Sequence, residues 1–105
     1  GITFKENCPD IRNSKAFDLV AKMKQLEIEV DVFDPLADKV EVMEEYGISL
    51  INEPRIKAYD TIILAVAHKE FKEMGFKKTR SFGKDNCIIY DLKYLLKKQE
   101  SNIRI

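Results

Sequence analysis

Two cysteines, Cys8 and Cys87, and a single histidine, His68, are too few for a structural zinc site, which takes about four ligands. The cysteines are far apart in sequence and form no CxxC pair, so the expectation is two free thiols in a reduced, cytoplasmic protein. Glycine and proline are scarce and scattered, so no linker, repeat or low-complexity stretch is evident, and GxGxxG is absent. Net charge is also missing: 18 basic residues oppose 18 acidic ones. That balance provides no overall field to draw in nucleic acid or an anionic membrane, although it leaves room for a local basic cluster around a small anion. No apolar run approaches the roughly 20 residues of a membrane helix, and no basic-then-apolar leader is visible.

What remains is an ordinary globular balance, 45% apolar and 34% charged over 105 residues, enough for one domain with one modest core. The opening Gly1-Ile2-Thr3-Phe4 reads as the end of a strand that starts upstream, so the chain is expected to be a piece of a longer protein. A polar loop with Pro9 follows over 5–13. Ser14 or Asn13 can cap the next helix, where Ala16, Leu19, Val20, Met23 and Leu26 recur at helical spacing and predict one buried face. Val30, Val32 and Phe33 read as a second strand, ended by Asp34-Pro35. Residues 38–46 suit a second helix, with Val40 and Met43 inward beside Val42 and with Gly47 as a left-handed stop. A short edge strand is expected over 48–51. The run from Thr61 to Val66 is continuously apolar, which predicts a strand buried on both faces. A short helix over 68–74, a buried strand over 87–91, a helical turn over 93–98 and a tail over 101–105 complete the pattern.

Strands alternating with helices predict an α/β fold: a three-layer, Rossmann-like parallel sheet flanked by helices, with the first strand truncated. Such sheets bind ligands at the carboxyl ends of their strands. Four places fall there: 5–13, Asp34, 65–68 and 91–93. In the first, Lys5 and Arg12 lie in a loop that runs into a helix N-terminus, where two cations suit phosphate oxygens. The competing reading pairs them with Glu6 and Asp10 on the surface. Asp34 sits where Rossmann domains hold a ribose, but without a phosphate loop it reads as a turn or helix-start residue. His68 reads as capping or loop structure, Cys87 as a small core residue and the Lys77-Lys78 and Lys97-Lys98 pairs as solvated surface.

The run Gly1-Ile2-Thr3-Phe4-Lys5-Glu6-Asn7-Cys8-Pro9-Asp10-Ile11-Arg12-Asn13-Ser14-Lys15 resembles the signature opening the C-terminal domain of UDP-glucose/GDP-mannose dehydrogenases. The form Glu-Asn-Cys-Pro-Asp-Ile-Arg-Asn-Ser-Lys is most similar to the branch acting on UDP-N-acetylhexosamines for surface and capsular polysaccharides. Supporting matches are Val30-Asp31-Val32-Phe33-Asp34-Pro35, Ala65-Val66-Ala67-His68-Lys69-Glu70-Phe71 and Tyr90-Asp91-Leu92-Lys93. The resemblance covers nearly the whole chain. It implies that residues 1–105 are the UDP-sugar-binding domain of an NAD-dependent 6-dehydrogenase. Phe4 and Lys5 would contact the UDP-sugar, and Arg12 would reach the NAD pyrophosphate across a domain interface. Lys93 would stand near the substrate, where related enzymes often carry arginine. By the same resemblance, the NAD-binding domain, the dimerising central helices and the catalytic cysteine precede this domain. The chain alone would therefore be inactive, with no catalytic residue and no metal ligand of its own. Its partners would be the UDP-sugar and those other domains, and the full-length enzyme is expected to be a homo-oligomer. Cys8 lies in the wrong motif to be the nucleophile.

Two alternatives remain open at this level. One keeps the family but takes UDP-glucose or GDP-mannose as substrate. The other is a receiver-like or other non-catalytic binding module, in which Asp34 and Asp91 would hold magnesium.

Overall fold

The computed structural model describes residues 1–102, so the far end of the tail expected over 101–105 lies outside the described residues. Its elements in chain order are α1 (Lys15–Gln25), α2 (Lys39–Tyr46), β1 (Tyr59–Leu64), α3 (Lys69–Ser81), β2 (Gly83–Asp91) and a 3-10 turn at Lys98–Glu100. Strands β1 and β2 pair in parallel, joined by α3, in the βαβ arrangement that the alternating pattern implies.

Local chemistry sets the helix ends. Ser14 Oγ accepts from Phe17 N–H at 3.1 Å and starts α1. Asp38 accepts from Glu41 N–H at 3.0 Å and starts α2. Gly47, at φ 68°, ends α2 in the left-handed region. The inward face of α2 differs from expectation. Val42 is fully buried, whereas Val40 and Met43 are 65% and 47% exposed. Tyr46, one turn beyond Val42, decides the face: it stacks on Phe17 with ring centroids 4.1 Å apart, and its hydroxyl donates to the Ile11 carbonyl. Leu26 also differs. It lies just past the end of α1 and is exposed. The helix expected to stop at 74 does break there, at Gly75 with φ 77°, but helical geometry resumes to Ser81.

Among the described residues only β1 and β2 form a ladder. The strands expected at 2–4, 30–33 and 48–51 are instead tied by single bonds. Gly1 N donates to Phe33 O and Ile51 N–H to Val32 O, each at 3.0 Å. The reason is visible in the first segment. The Ile2 and Thr3 amides go to the Asp34 carboxylate and the Phe4 amide to Asp10 O, so none remains for a ladder. These segments still build the main core, in which Ile2, Ile11, Val20, Val32, Val42 and Ile48 pack together. A second cluster, Leu64, Ile89 and Leu96, lies against the sheet.

The two strands are less enclosed than their apolar sequences imply. Thr61 is exposed and Ile62 and Ile63 half-buried. In β2, Cys87, Ile89 and Asp91 are buried while Ile88 is 42% exposed, so β2 packs on one face only. The outer edge of β2 is closed by its neighbours. Ile89 N–H donates to Asn102 Oδ1, Asn102 N–H returns to Ile89 O, and Arg80 donates to the carbonyls of Lys84 and Asp85. The Arg80 contacts hold the irregular stretch between the Tyr59–Gly83 and Thr61–Ile88 pairs.

Gly83 is required at the start of that stretch. A Cβ there would lie 2.5 Å from both Cβ and Sγ of Cys87. Gly83→Ala is therefore expected to destabilise the fold by about 1–3 kcal/mol, the usual cost of overpacking. A thermal melt checks this, and an unchanged Tm would mean that the Cys87 contact yields freely.

Candidate functional site

A cleft of about 270 Å³ opens where the parallel strands end. Four pieces of chain wall it: the loop Thr3–Glu6, the first residues of α1 (Lys15 and Ala16), the turn 65–67 that follows β1, and Lys93 beyond β2. The position agrees with the strand-end rule for open α/β sheets. The structure thus brings Phe4, Lys5 and Lys93 together. Lys15, which no sequence motif marks as a ligand residue, also lines the cleft. A lysine in the first turn of a helix opposes the helix dipole. That mismatch was the available signal. Among the described residues Lys5, Lys15 and Lys93 have no ion-pair partner. Phe4 is 55% exposed, an apolar ring left in solvent at the cleft wall.

Three ammonium groups without ion-pair partners among the described residues stand beside a helix N-terminus, whose first amides lack intrahelical acceptors, a surface whose chemistry suits an anion. Arg12 is elsewhere. Its guanidinium is 81% exposed and forks onto Asp10, with Nε to Oδ1 at 3.0 Å and Nη2 to Oδ2 at 2.8 Å. This surface pairing was the competing reading of Arg12 in the sequence, whereas Lys5 and Glu6 form no such pair. The Arg12 hydrogen bond holds the Asp10 carboxyl down to about 2.

Behind the loop lies a buried polar network. The Asp34 carboxylate accepts from five N–H groups. Oδ2 takes Ile2 N at 2.8 Å, Thr3 N at 3.3 Å and His68 Nε2 at 2.9 Å, while Oδ1 takes Leu36 N at 2.9 Å and Ala37 N at 3.3 Å. Burial pushes this carboxyl up, but the amides of Ile2 and Leu36 and the imidazole of His68 more than offset it, so it sits below its ordinary 3.8. Asp34 is therefore a turn-holding residue, as the missing phosphate loop suggested. His68 is fully buried, and its Nδ1 accepts from Asn7 N–H at 3.0 Å. That bond makes Nδ1 the bare nitrogen and Nε2 the N–H donor, so Nε2–H donates to the Asp34 carboxylate. His68 stands at the N-cap position of α3, as a capping reading of it expects, but its side chain makes no cap bond; Asn7 Oδ1 accepts from Lys69 N–H at 2.8 Å in its place.

Asp91 is fully buried and accepts from Leu95 N–H at 2.9 Å and Leu96 N–H at 2.8 Å, which fixes the turn carrying Lys93. This capped turn and the 3-10 turn at Lys98–Glu100 stand in place of the helical turn expected over 93–98. Both Asp34 and Asp91 are turned inward onto backbone amides, so the acids on which a magnesium-binding receiver would depend do not face solvent. Cys87 is buried, and both cysteines are free. Burial raises the Cys87 thiol, the opposite of an activated nucleophile. No described helix is long and apolar enough to cross a membrane.

A βαβ frame with a cation-rimmed cleft at its strand ends defines a Rossmann-like α/β domain. Residues 1–98 match the UDP-binding domain of the UDP-glucose/GDP-mannose dehydrogenase family, and the chain belongs to that family. It is 51% identical over its whole length to a UDP-N-acetyl-D-glucosamine 6-dehydrogenase of Pseudomonas aeruginosa and 49% identical to one of Salmonella typhi. In each case it spans 25% of the relative's length. The fold is also that of a region of the UDP-N-acetyl-mannosamine dehydrogenase from S. aureus, with a TM-score of 0.73 and 23% identity, over 99% of this chain and 24% of that one.

Proposed function

We propose that residues 1–105 form the UDP-sugar-binding domain of a longer, NAD-dependent, cytoplasmic 6-dehydrogenase that oxidises a UDP-N-acetylhexosamine to its uronic acid for polysaccharide synthesis. The observation that carries this reading is the convergence of Phe4, Lys5, Lys15 and Lys93 on one cleft at the strand ends. The lysines would neutralise the diphosphate, and the exposed ring of Phe4 would lie along the sugar-nucleotide. The whole-chain identity to two UDP-N-acetyl-D-glucosamine 6-dehydrogenases favours an N-acetylhexosamine over glucose or mannose.

NAD would be held mainly by the domain that precedes this one, since the chain has no glycine-rich phosphate loop. Arg12 lies outside the cleft and points to solvent, which suits a residue that meets the cofactor's pyrophosphate across a domain interface. The central helices would make the enzyme a homo-oligomer. Domain closure would bring the two half-sites together and exclude water from hydride transfer.

An amide-detected NMR titration of the 105-residue chain with UDP tests the reading. Shifts are expected at Phe4, Lys5, Lys15 and Lys93, with Arg12 unmoved. UDP shifts that bypass the cleft, or none at millimolar UDP, would remove the cleft as the nucleotide site.

A further inference from the structure

The loop that carries Phe4, Lys5 and Glu6 is gripped at both ends by one imidazole. At its start, Thr3 Oγ1 lies 3.1 Å from His68 Nε2. At its end, Asn7 N–H donates to His68 Nδ1 at 3.0 Å. Thr3 Oγ1 also donates to Lys5 O at 3.1 Å, so the clamp reaches the backbone of the lysine that lines the cleft. The ring cannot drift, because it is fully buried, Asp34 holds Nε2 at 2.9 Å, and Phe71 packs against it at 5.4 Å between centroids. His68 directly follows the turn 65–67, which forms the opposite part of the cleft lining. One residue therefore sets the spacing between two walls of the cleft.

We infer that His68 is a positioning residue for UDP-sugar binding, acting through Thr3 and Asn7 to hold Phe4 and Lys5 in their binding geometry before the ligand arrives. This rests on the function proposed above. The physical case is preorganisation. A loop already ordered in the free protein has less freedom to lose on binding. Loosening it weakens the ground state and the transition state alike, which raises KM rather than lowering kcat. A purely structural histidine behaves differently. Its loss shrinks the folded, active fraction, which lowers apparent kcat at unchanged KM.

The experiment uses steady-state kinetics of the full-length dehydrogenase with UDP-N-acetylglucosamine. In His68→Gln the amide can keep the Nε2 contacts but withdraws the acceptor from Asn7, and KM is expected to rise about tenfold, for the loss of one hydrogen bond in the clamp. Thr3→Val, nearly isosteric, releases the other end and guards against a His68 variant that fails to fold. It should raise KM similarly, with Thr3→Ser restoring it. An activity loss carried by kcat at unchanged KM in these variants, or no loss, overturns the inference. Lys5→Ala separates the two levels. If it raises KM while His68→Gln and Thr3→Val do not, the positioning role alone has failed. If it too leaves KM unchanged, the cleft reading has failed with it.

Discussion

Lys5→Ala is expected to lower kcat/KM for the UDP-sugar by about 10- to 100-fold in the full-length enzyme while leaving the melting temperature of the domain unchanged. The two halves of that expectation have separate causes. Lys5 is exposed and has no ion-pair partner among the described residues, so truncating its side chain leaves no buried group stranded and opens no cavity. In the complex the same ammonium would face a diphosphate, where hydrogen bonds to charged groups are the strong ones. Lys15→Ala and Lys93→Ala remove charge from the same cleft and should each weaken binding in the same direction. The loss should shrink as salt screens the cleft. Steady-state kinetics beside a thermal melt check both halves. A kcat/KM within error of wild type, or a fall in Tm that parallels the fall in activity, would strip Lys5 of a binding role.

The parts of this domain that sequence makes legible are the local ones. Ser14, Asp38 and Gly47 act within four residues of where they sit, so their capping roles follow from residue type and spacing. The apolar runs around Ile62 and Ile89 mark β1 and β2 because a strand's preference is written in consecutive residues. Failures begin where a distant partner decides. Val40 and Met43 satisfy the helical period as well as Val42 does, but Phe17, far back in the chain, takes Tyr46 as its stacking partner and so rotates α2. The segment from Ile2 to Phe4 has strand composition, yet its amides are claimed by Asp34 and Asp10.

The cleft follows the same division. That ligands meet the strand ends is a property of the architecture, and Lys5 and Lys93 could be placed there by topology. The network behind them could not. His68 meets Thr3 across 65 positions and Asn7 across 61, and neither separation belongs to a periodic pattern. A lone histidine after a strand is compatible with many roles, and its role here becomes evident only when the two ends of the loop are seen on its two nitrogens.

Removing the Asp34 carboxylate is expected to be the most damaging single change to the fold. Five N–H donors converge on its two oxygens inside a site closed to water. Asp34→Ala would strand the four backbone amides and leave His68 Nε2 with Thr3 Oγ1 alone as acceptor, and loss of a buried, fully bonded charged group costs about 3–5 kcal/mol. That is a large share of the roughly 5–15 kcal/mol that holds a domain folded. Asp34→Asn should cost less than Asp34→Ala, since one oxygen survives, but its NH₂ must face donors and cannot accept them. The pH dependence carries the same signature. The folded carboxyl lies below 3.8, while in the unfolded chain it titrates at about 3.9. Its contribution is thus fully present above the unfolded value and is lost as pH falls through the folded one. Wild type should lose stability to denaturant steeply on acidification below about pH 5, and Asp34→Asn should show a shallower slope there. Asp10, also depressed, to about 2, is present in both proteins and cancels in the difference. Parallel slopes for wild type and Asp34→Asn would mean that the five bonds survive protonation, and that the network draws its strength from shape and not from charge.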